Sequence, residues 1–287
     1  MATTIELARA PSTLNLYVRA ATAKKHGNIE GDSLPKLSVT LRNVQANYKK
    51  LTKYREVCGF PLSGSMPATY PHILAFPLHM ELLVSEAFPF PLLGLVHVRN
   101  EITQYRAIGN QEVLDIECVL GGPREVAKGK EFDITTYTHV DGQLVWESVS
   151  TMLHRCKTSL SDDKKPKPQD STEPETVISW PVEENIGRRY AKVSGDSNLI
   201  HIHAITAKLF GFKQAIAHGM WTKARCLAEL DSAIPNGPFK VSVSFKLPVF
   251  LPANVQFQCN QQEREIAFEV KDAKGEKPHL AGTIKAL

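Results

Sequence analysis

Residues 190–230 read YAKVSGDSNLIHIHAITAKLFGFKQAIAHGMWTKARCLAEL, and no other stretch gathers polar chemistry so densely. Asp196, Asn198 and His201 fall within six residues, and His218-Gly219-Met220 opens an amphipathic helix. A carboxylate and an imidazole this close, followed by glycine at a helix start, are the parts needed to hold a water on one side of a substrate and stabilise an oxyanion on the other. A plainer reading stands beside it. Asp and Asn hydrogen-bond nearby backbone, so Gly195-Asp196-Ser197-Asn198 also suits a simple turn before a helix.

The order of these residues separates the two readings. Tyr190, Ser194-Gly195-Asp196, Asn198, Ile200-His201, Ala207, Gly211-Phe212 and Ile216-Ala217-His218-Gly219-Met220 resemble the signature of the MaoC-like, R-specific enoyl-CoA hydratases and dehydratases. A weaker echo follows in Phe245-Lys246-Leu247-Pro248-Val249-Phe250. Leu199 stands where that family usually has proline, and Pro252-Ala253-Asn254 where it has Pro-Gly-Asp. Losing proline frees a fixed φ, but neither change removes a reacting group.

Outward from this stretch, Met220, Trp221, Ala224, Leu227 and Ala228 lie on one face of the helix, with Lys223, Arg225 and Glu229 assigned off it. Val241, Val243, Phe245 and Leu247 then alternate with polar residues. Val255, Phe257 and Cys259 repeat the pattern, as do Ile266, Phe268 and Val270. These are strands with one buried face. Upstream, residues 161–176, SDDKKPKPQDSTEPET, carry three prolines and no aliphatic or aromatic side chain, which marks an extended linker.

Before the linker the order of elements is similar. Residues 1–40 give few signals and read as a loosely packed entry. Leu41, Val44, Tyr48 and Leu51 recur at helical spacing, which predicts one amphipathic helix ending near Gly59 and Pro61. Residues 72–88, HILAFPLHMELLVSEAF, predict a helix buried on most sides. Leu114, Ile116, Cys118 and Leu120 alternate as a strand, and Asp141-Gly142 between two β-rich runs predicts a hairpin. Laid helix on helix, Met80 meets Met220, Ile108 meets Phe250, Gly142 meets Gly275, and His79 stands where Gly219 does. The first half has no Asp-x-Asn-x-x-His.

Periodicity alone therefore gives α+β with two similar domains: residues 1–160, a linker at 161–176, and residues 177–287 carrying the motif. The resemblance implies that each is a hot-dog domain, a long helix wrapped by an antiparallel sheet, and the whole a double hot dog.

At 287 residues the chain is long enough for two cores, and 43% apolar residues is a globular composition. Lys plus Arg number 34 against 30 acids, a formal charge of +4, too small an excess to argue for nucleic acid. The five cysteines form no close pair, which fits a reducing compartment and no thiolate zinc site. No apolar run reaches membrane-spanning length. The expected location is the cytoplasm, although residues 3–26, with Glu6 as their single acid, have a composition that transit peptides share. There is no G-x-x-x-x-G-K-S/T and no G-x-G-x-x-G, which disfavours nucleotide-phosphate enzymes.

The resemblance implies reversible addition of water to a trans-2-enoyl thioester, giving the (3R)-3-hydroxyacyl-CoA, with no cofactor and no metal. Asp196 and His201 are the candidate catalytic pair, either of them the formal base. Asn198 fixes the loop or donates to substrate, and Gly219 offers a helix N-terminal amide to the thioester oxygen. His203, two residues after His201, would share its face in an extended segment and with Asp196 could make a metal site, but no further ligand cluster accompanies them. His218 is assigned a structural hydrogen bond, and Met220 and Trp221 the core. Arg188, Arg189, Lys213 and Lys246 read as solvated charge rather than phosphate contacts, and Phe76, Phe88 and Phe90 are candidates for an acyl tunnel. The expected partner is an acyl-CoA or acyl-carrier-protein thioester, with no nucleic acid or membrane, in a monomer or homodimer. Two alternatives remain: a hot-dog acyl-CoA thioesterase, and a non-catalytic acyl-CoA binding protein.

Overall fold

The computed structural model describes residues 3–23, 25, 27, 33–92, 94–161 and 173–287. In chain order the elements of the first half are β1 (Thr3–Leu7), α1 (Thr13–Thr22), β2 (Leu37–Gln45), α2 (Tyr48–Cys58), α3 (Tyr70–Val84), β3 (Val96–Gln104), β4 (Val113–Leu120), β5 (Arg124–Val126), β6 (Gly129–Val140) and β7 (Gln143–Arg155). The second half has β8 (Thr176–Val182), α4 (Ile186–Ser194), a 3-10 turn at Leu199–His201, α5 (Ala204–Leu209), α6 (Gly219–Glu229), β9 (Phe239–Phe245), β10 (Ala253–Gln262), β11 (Glu265–Asp272) and β12 (Pro278–Ala286).

The strands form one sheet in the order β1-β2-β4-β6-β7-β3-β9-β12-β11-β10-β8, with β5 on β6. From the centre outward, β3, β7, β6, β4 and β2 are mirrored by β9, β12, β11, β10 and β8. Each half wraps its own helix, α3 in the first and α6 in the second. This is the α+β double hot-dog arrangement. Of the 15 residues of α3, 11 are buried, as the nearly unbroken apolar run 72–88 requires. Burying such a segment on all sides is worth far more than the Pro77 inside it costs.

The halves join where β3 pairs β9 antiparallel, with Asn100 opposite Val243 and Ile102 opposite Val241. Lys240 bonds Glu101 across the seam at 2.8 Å, and Ser242 Oγ donates to the same carboxylate at 2.9 Å. Beneath it lies Lys223 of α6, fully buried. Its Nζ donates to Asn100 Oδ1 at 2.6 Å and to the carbonyls of Asn100 and Val241 at 3.3 Å. The expectation that Lys223 lies off the buried face is therefore wrong. It follows Met220 by three residues and precedes Leu227 by four, so helical geometry puts it on the core side, and Asn100 satisfies it there.

Three further expectations are corrected. Residues 41–51 are not one helix: β2 ends at Gln45 and α2 starts at Tyr48. Asn43, at φ 57, bulges the strand between Leu41 and Val44, which produces a three-residue apolar spacing inside a strand. The helix overlay shifts as well. α3 begins at Tyr70 and α6 at Gly219, so His79 lies well inside its helix and not at a helix start as Gly219 does. Residues 1–40 contain β1 and α1 rather than only loose chain. Residues 162–172 of the expected linker lie outside the described residues, and Thr176 is already in β8.

Several local features are as read. Asp141 (φ 50) and Gly142 (φ 79) make the left-handed turn of the β6–β7 hairpin, and all five cysteines are free.

Candidate active site

α4 ends where Gly195 adopts φ 79 and its N–H caps the Ala191 carbonyl. The chain turns there, and Asp196 closes the next step by accepting from the Asn198 N–H at 3.2 Å through Oδ1. Asn198 in turn accepts from the Ile200 N–H at 3.4 Å, so its carboxamide oxygen caps the 3-10 turn that carries His201. Leu199 is the first residue of that turn, a position where an N–H has no helical partner. Proline and leucine can both serve there. Gly187 of α4 lies directly under the loop, where a Cβ would overlap the His201 carbonyl oxygen. The polar turn reading and the catalytic reading thus describe the same residues: the turn is what aims the side chains.

Asp196, His201 and His218 converge, with one ligand-type atom from each within 4.8 Å of the others. The His201 and His218 rings stack with centroids 3.7 Å apart. His201 Nδ1 lies 2.7 Å from the Ile216 carbonyl, which can only accept, so Nδ1 carries the proton and Nε2 keeps its lone pair. By the same logic His218 Nε2 donates to the Asp196 backbone carbonyl at 3.0 Å. It stands 3.8 Å from Asp196 Oδ2, and its own Nδ1 is buried without a partner. The assigned structural bond of His218 is made, and it braces the loop that carries the carboxylate.

Burial lowers the pKa of both imidazoles, that of His218 to about 3, with Asp196 opposing the effect at each ring. Burial also works to raise Asp196, but the two imidazoles, Tyr17 and the Asn198 amide outweigh it and hold the carboxyl below its usual value. Around neutral pH the site is a carboxylate beside two neutral imidazoles. The Asp196 side chain is 29% exposed and that of His218 only 2%, so the carboxylate is the part of the group that an entering molecule meets.

Tyr17 of α1 reaches the same carboxylate from the other end of the chain, its hydroxyl 2.8 Å from Asp196 Oδ1. No sequence signal marks it, because nothing in α1 is spaced relative to the motif. Gly219 begins α6, and a Cβ there would come 2.9 Å from two carbons of the Phe245 ring. The glycine therefore admits Phe245 of β9 as well as leaving a first-turn N–H uncrowded. Met220 and Trp221 are core residues, with Trp221 Nε1 donating to the Val57 carbonyl at 3.0 Å.

Other candidates lie apart. His203 is exposed at the start of α5 while His201 is buried, so the two do not share a site. Arg188 donates to the Ile202 carbonyl at 3.2 Å and Arg189 pairs with Glu183 at 2.7 Å, while Lys213 and Lys246 are exposed. Phe88 and Phe90 pack on Phe132 in the first half's own core, whereas Phe76 packs beneath α1 with a ring carbon 3.8 Å from where a Gly195 Cβ would be, next to Asp196. Asp196, His201 and His218 each bring one atom able to ligate a metal ion into the cluster, whereas His203, the third ligand expected from the sequence, lies outside it.

A model of the MaoC like domain family matches residues 166–283. The 3-hydroxyacyl-thioester dehydratase X of Mycobacterium tuberculosis is 34% identical over 279 residues, spanning 96% of this chain and 99% of that protein. A crystal structure of HtdX from the same organism aligns with a TM-score of 0.76 at 32% identity, covering 87% of this chain and all of that one, 100%. A MaoC-like dehydratase from Phytophthora capsici, 19% identical, shares the fold with a TM-score of 0.71 over 88% of this chain and 96% of its own.

Proposed function

From its membership of the MaoC-like dehydratase family, which makes the chain a hydro-lyase, we propose that it interconverts (3R)-3-hydroxyacyl and trans-2-enoyl thioesters, with Asp196 and His201 handling the water. The observation that carries this reading is the hydrogen bond from His201 Nδ1 to the Ile216 carbonyl, which leaves Nε2 as a basic lone pair in the same cluster as the Asp196 carboxylate.

The steps balance on these groups. In the dehydration direction, His201 Nε2 takes the C2 proton, which is acidic only because charge can flow onto the thioester oxygen. The Gly219 N–H, at the positive end of α6, receives that charge. Asp196 Oδ2 holds the C3 hydroxyl. As the C3–O bond breaks, the imidazolium returns its proton to the departing oxygen, and water leaves. Hydration is the reverse, with one water supplying both the hydroxyl and the C2 proton. Neutral His201 is the formal base, and Asp196 orients the oxygen and stabilises the imidazolium. Asn198 acts through the loop. The lowered pKa of His201 keeps it a free base at neutral pH, so activity is full there and falls on the acid side.

Among the described residues, the first half offers no second site of this kind. Its helix α3 opens on Tyr70 after Thr69, whose hydroxyl oxygen accepts from the Tyr54 hydroxyl at 2.7 Å, where α6 opens on Gly219 after His218. The test is to supply (3R)-3-hydroxyacyl thioesters on coenzyme A and on acyl carrier protein. Conjugated enoyl absorbance should rise with no release of thiol. Thiol release without an enoyl product would instead identify a thioesterase, and binding without turnover a carrier.

A further inference from the structure

α1 is not part of either hot-dog core. Leu14 and Val18 face solvent, and Leu16 is the helix's single buried residue. It packs in a small separate cluster with Met80 and Val84 of α3, bordered by Tyr17, Ala20, Phe76 and Leu92. Arg19 pairs with Glu81 at 2.7 Å along the same contact. At its start, the Thr13 methyl lies 3.2 Å from where a Gly195 Cβ would be, so α1 rests on the residue next to Asp196. α1 also sends the Tyr17 hydroxyl inward, where it ends on Asp196 Oδ1 across 179 positions of sequence.

That contact decides how the carboxylate is presented. Oδ1 accepts from Tyr17 and from the Asn198 N–H, which accounts for both of its in-plane lone pairs. Oδ2 faces His218 Nε2 at 3.8 Å, beyond hydrogen-bond length, and is left for a water or a substrate hydroxyl. The Asn198 bond alone would leave Oδ1 with a vacant site and the carboxylate plane free to turn toward either oxygen. Two donors from different directions fix it.

We infer that Tyr17 is a positioning residue of the hydro-lyase site: its hydroxyl, delivered by α1, locks the Asp196 carboxylate so that Oδ2 alone meets the reacting hydroxyl. The inference rests on the proposed reaction for its catalytic meaning, but the Tyr17–Asp196 contact is measurable without turnover. It also places a necessary part of the second half's chemistry in residues 13–22, outside the stretch matched by the family model.

Tyr17→Phe keeps the ring in its cluster and removes only the donor. A hydrogen bond to an ionised group supports an effect of roughly 10- to 100-fold on kcat. KM is expected to hold within about 2-fold, because substrate binding does not use the phenol. Loss of a donor raises the carboxyl pKa and leaves more of its negative charge facing His201, which raises that imidazole too, so the acid limb of kcat/KM that His201 sets moves up in pH. In the Asp196→Asn background the same substitution should have little further effect, since both act through one group. Carbon-13 titration of the Asp196 carboxyl, compared between wild type and Tyr17→Phe, should show the upward shift whether or not any thioester is turned over. An unmoved Asp196 titration overturns the inference, and so does a Tyr17→Phe enzyme with wild-type kcat and pH profile. A titration that moves as expected in a protein inactive on every 3-hydroxyacyl thioester would sustain the contact while removing the proposed reaction.

Discussion

Acid should unfold this protein early, because the fold buries several imidazoles in their neutral form. Burial lowers His79 to about 3, His97 to about 4 and His218 to about 3, from an ordinary 6.5. His97 is also pushed down by Lys223, and His79 by His97, while His218 feels His201. The unfolded chain therefore binds more protons than the folded one at any pH below about 6.5. The stability these rings permit is intact above that value and drains away as pH falls toward 4. At pH 5 each ring costs about 2 kcal/mol relative to neutral pH, so the three together cost roughly 6 kcal/mol. That is a large part of the 5–15 kcal/mol that holds an ordinary domain folded. His72 and His201, lowered by burial as well, act in the same direction. Urea unfolding at pH 7, 6 and 5 measures the effect. Stability should fall steeply over that range, with a slope equivalent to an uptake of two to three protons or about that number. The slope should lose about one proton in His79→Leu, whose native ring shares a 2.7 Å bond with Thr136. Equal stability at pH 7 and pH 5 would refute the assignment of these rings as neutral, including the neutral His218 on which the site geometry depends.

Other consequences concern packing around the same centre. Gly187→Ala drives a Cβ into the His201 carbonyl, so the loop must shift; turnover should drop by at least about 10-fold, since displacements near 1 Å cost that and more, with binding of a non-reactive acyl thioester retained. Calorimetric titration beside steady-state kinetics would separate the two effects. Asn100→Ala takes from Lys223 its 2.6 Å acceptor and leaves the Nζ group buried with two long bonds. A loss of about 2–4 kcal/mol in urea unfolding is expected, and Lys223→Met in the same background should restore most of it.

The readable part of this fold was local. Strands β9, β10 and β11 of the second half alternate because each has one face buried and the other more exposed. The candidate site loop was legible because its turn chemistry and its polar side chains sit in nearly consecutive residues. What could not be read depends on distance in the chain. β2 looked helical because a bulge at Asn43 reset its apolar spacing, and the continuous sheet across β3 and β9 leaves no mark on either strand. Lys223 was set outside by its charge, although its spacing from Met220 and Leu227 placed it inside. Tyr17 reaches Asp196 only because α1 docks on α3, a contact between two short apolar surfaces with no motif of their own. His218 was legible as structural, yet not as the ring that stacks on His201.

Turnover of Asp196→Asn and His201→Ala, measured on a (3R)-3-hydroxyacyl thioester beside wild type, bears most directly on the division of labour between carboxylate and imidazole. Each substitution should lower kcat by about 10² to 10⁴ while the thermal transition at neutral pH stays cooperative. Wild-type-like kcat in either variant would contradict the account.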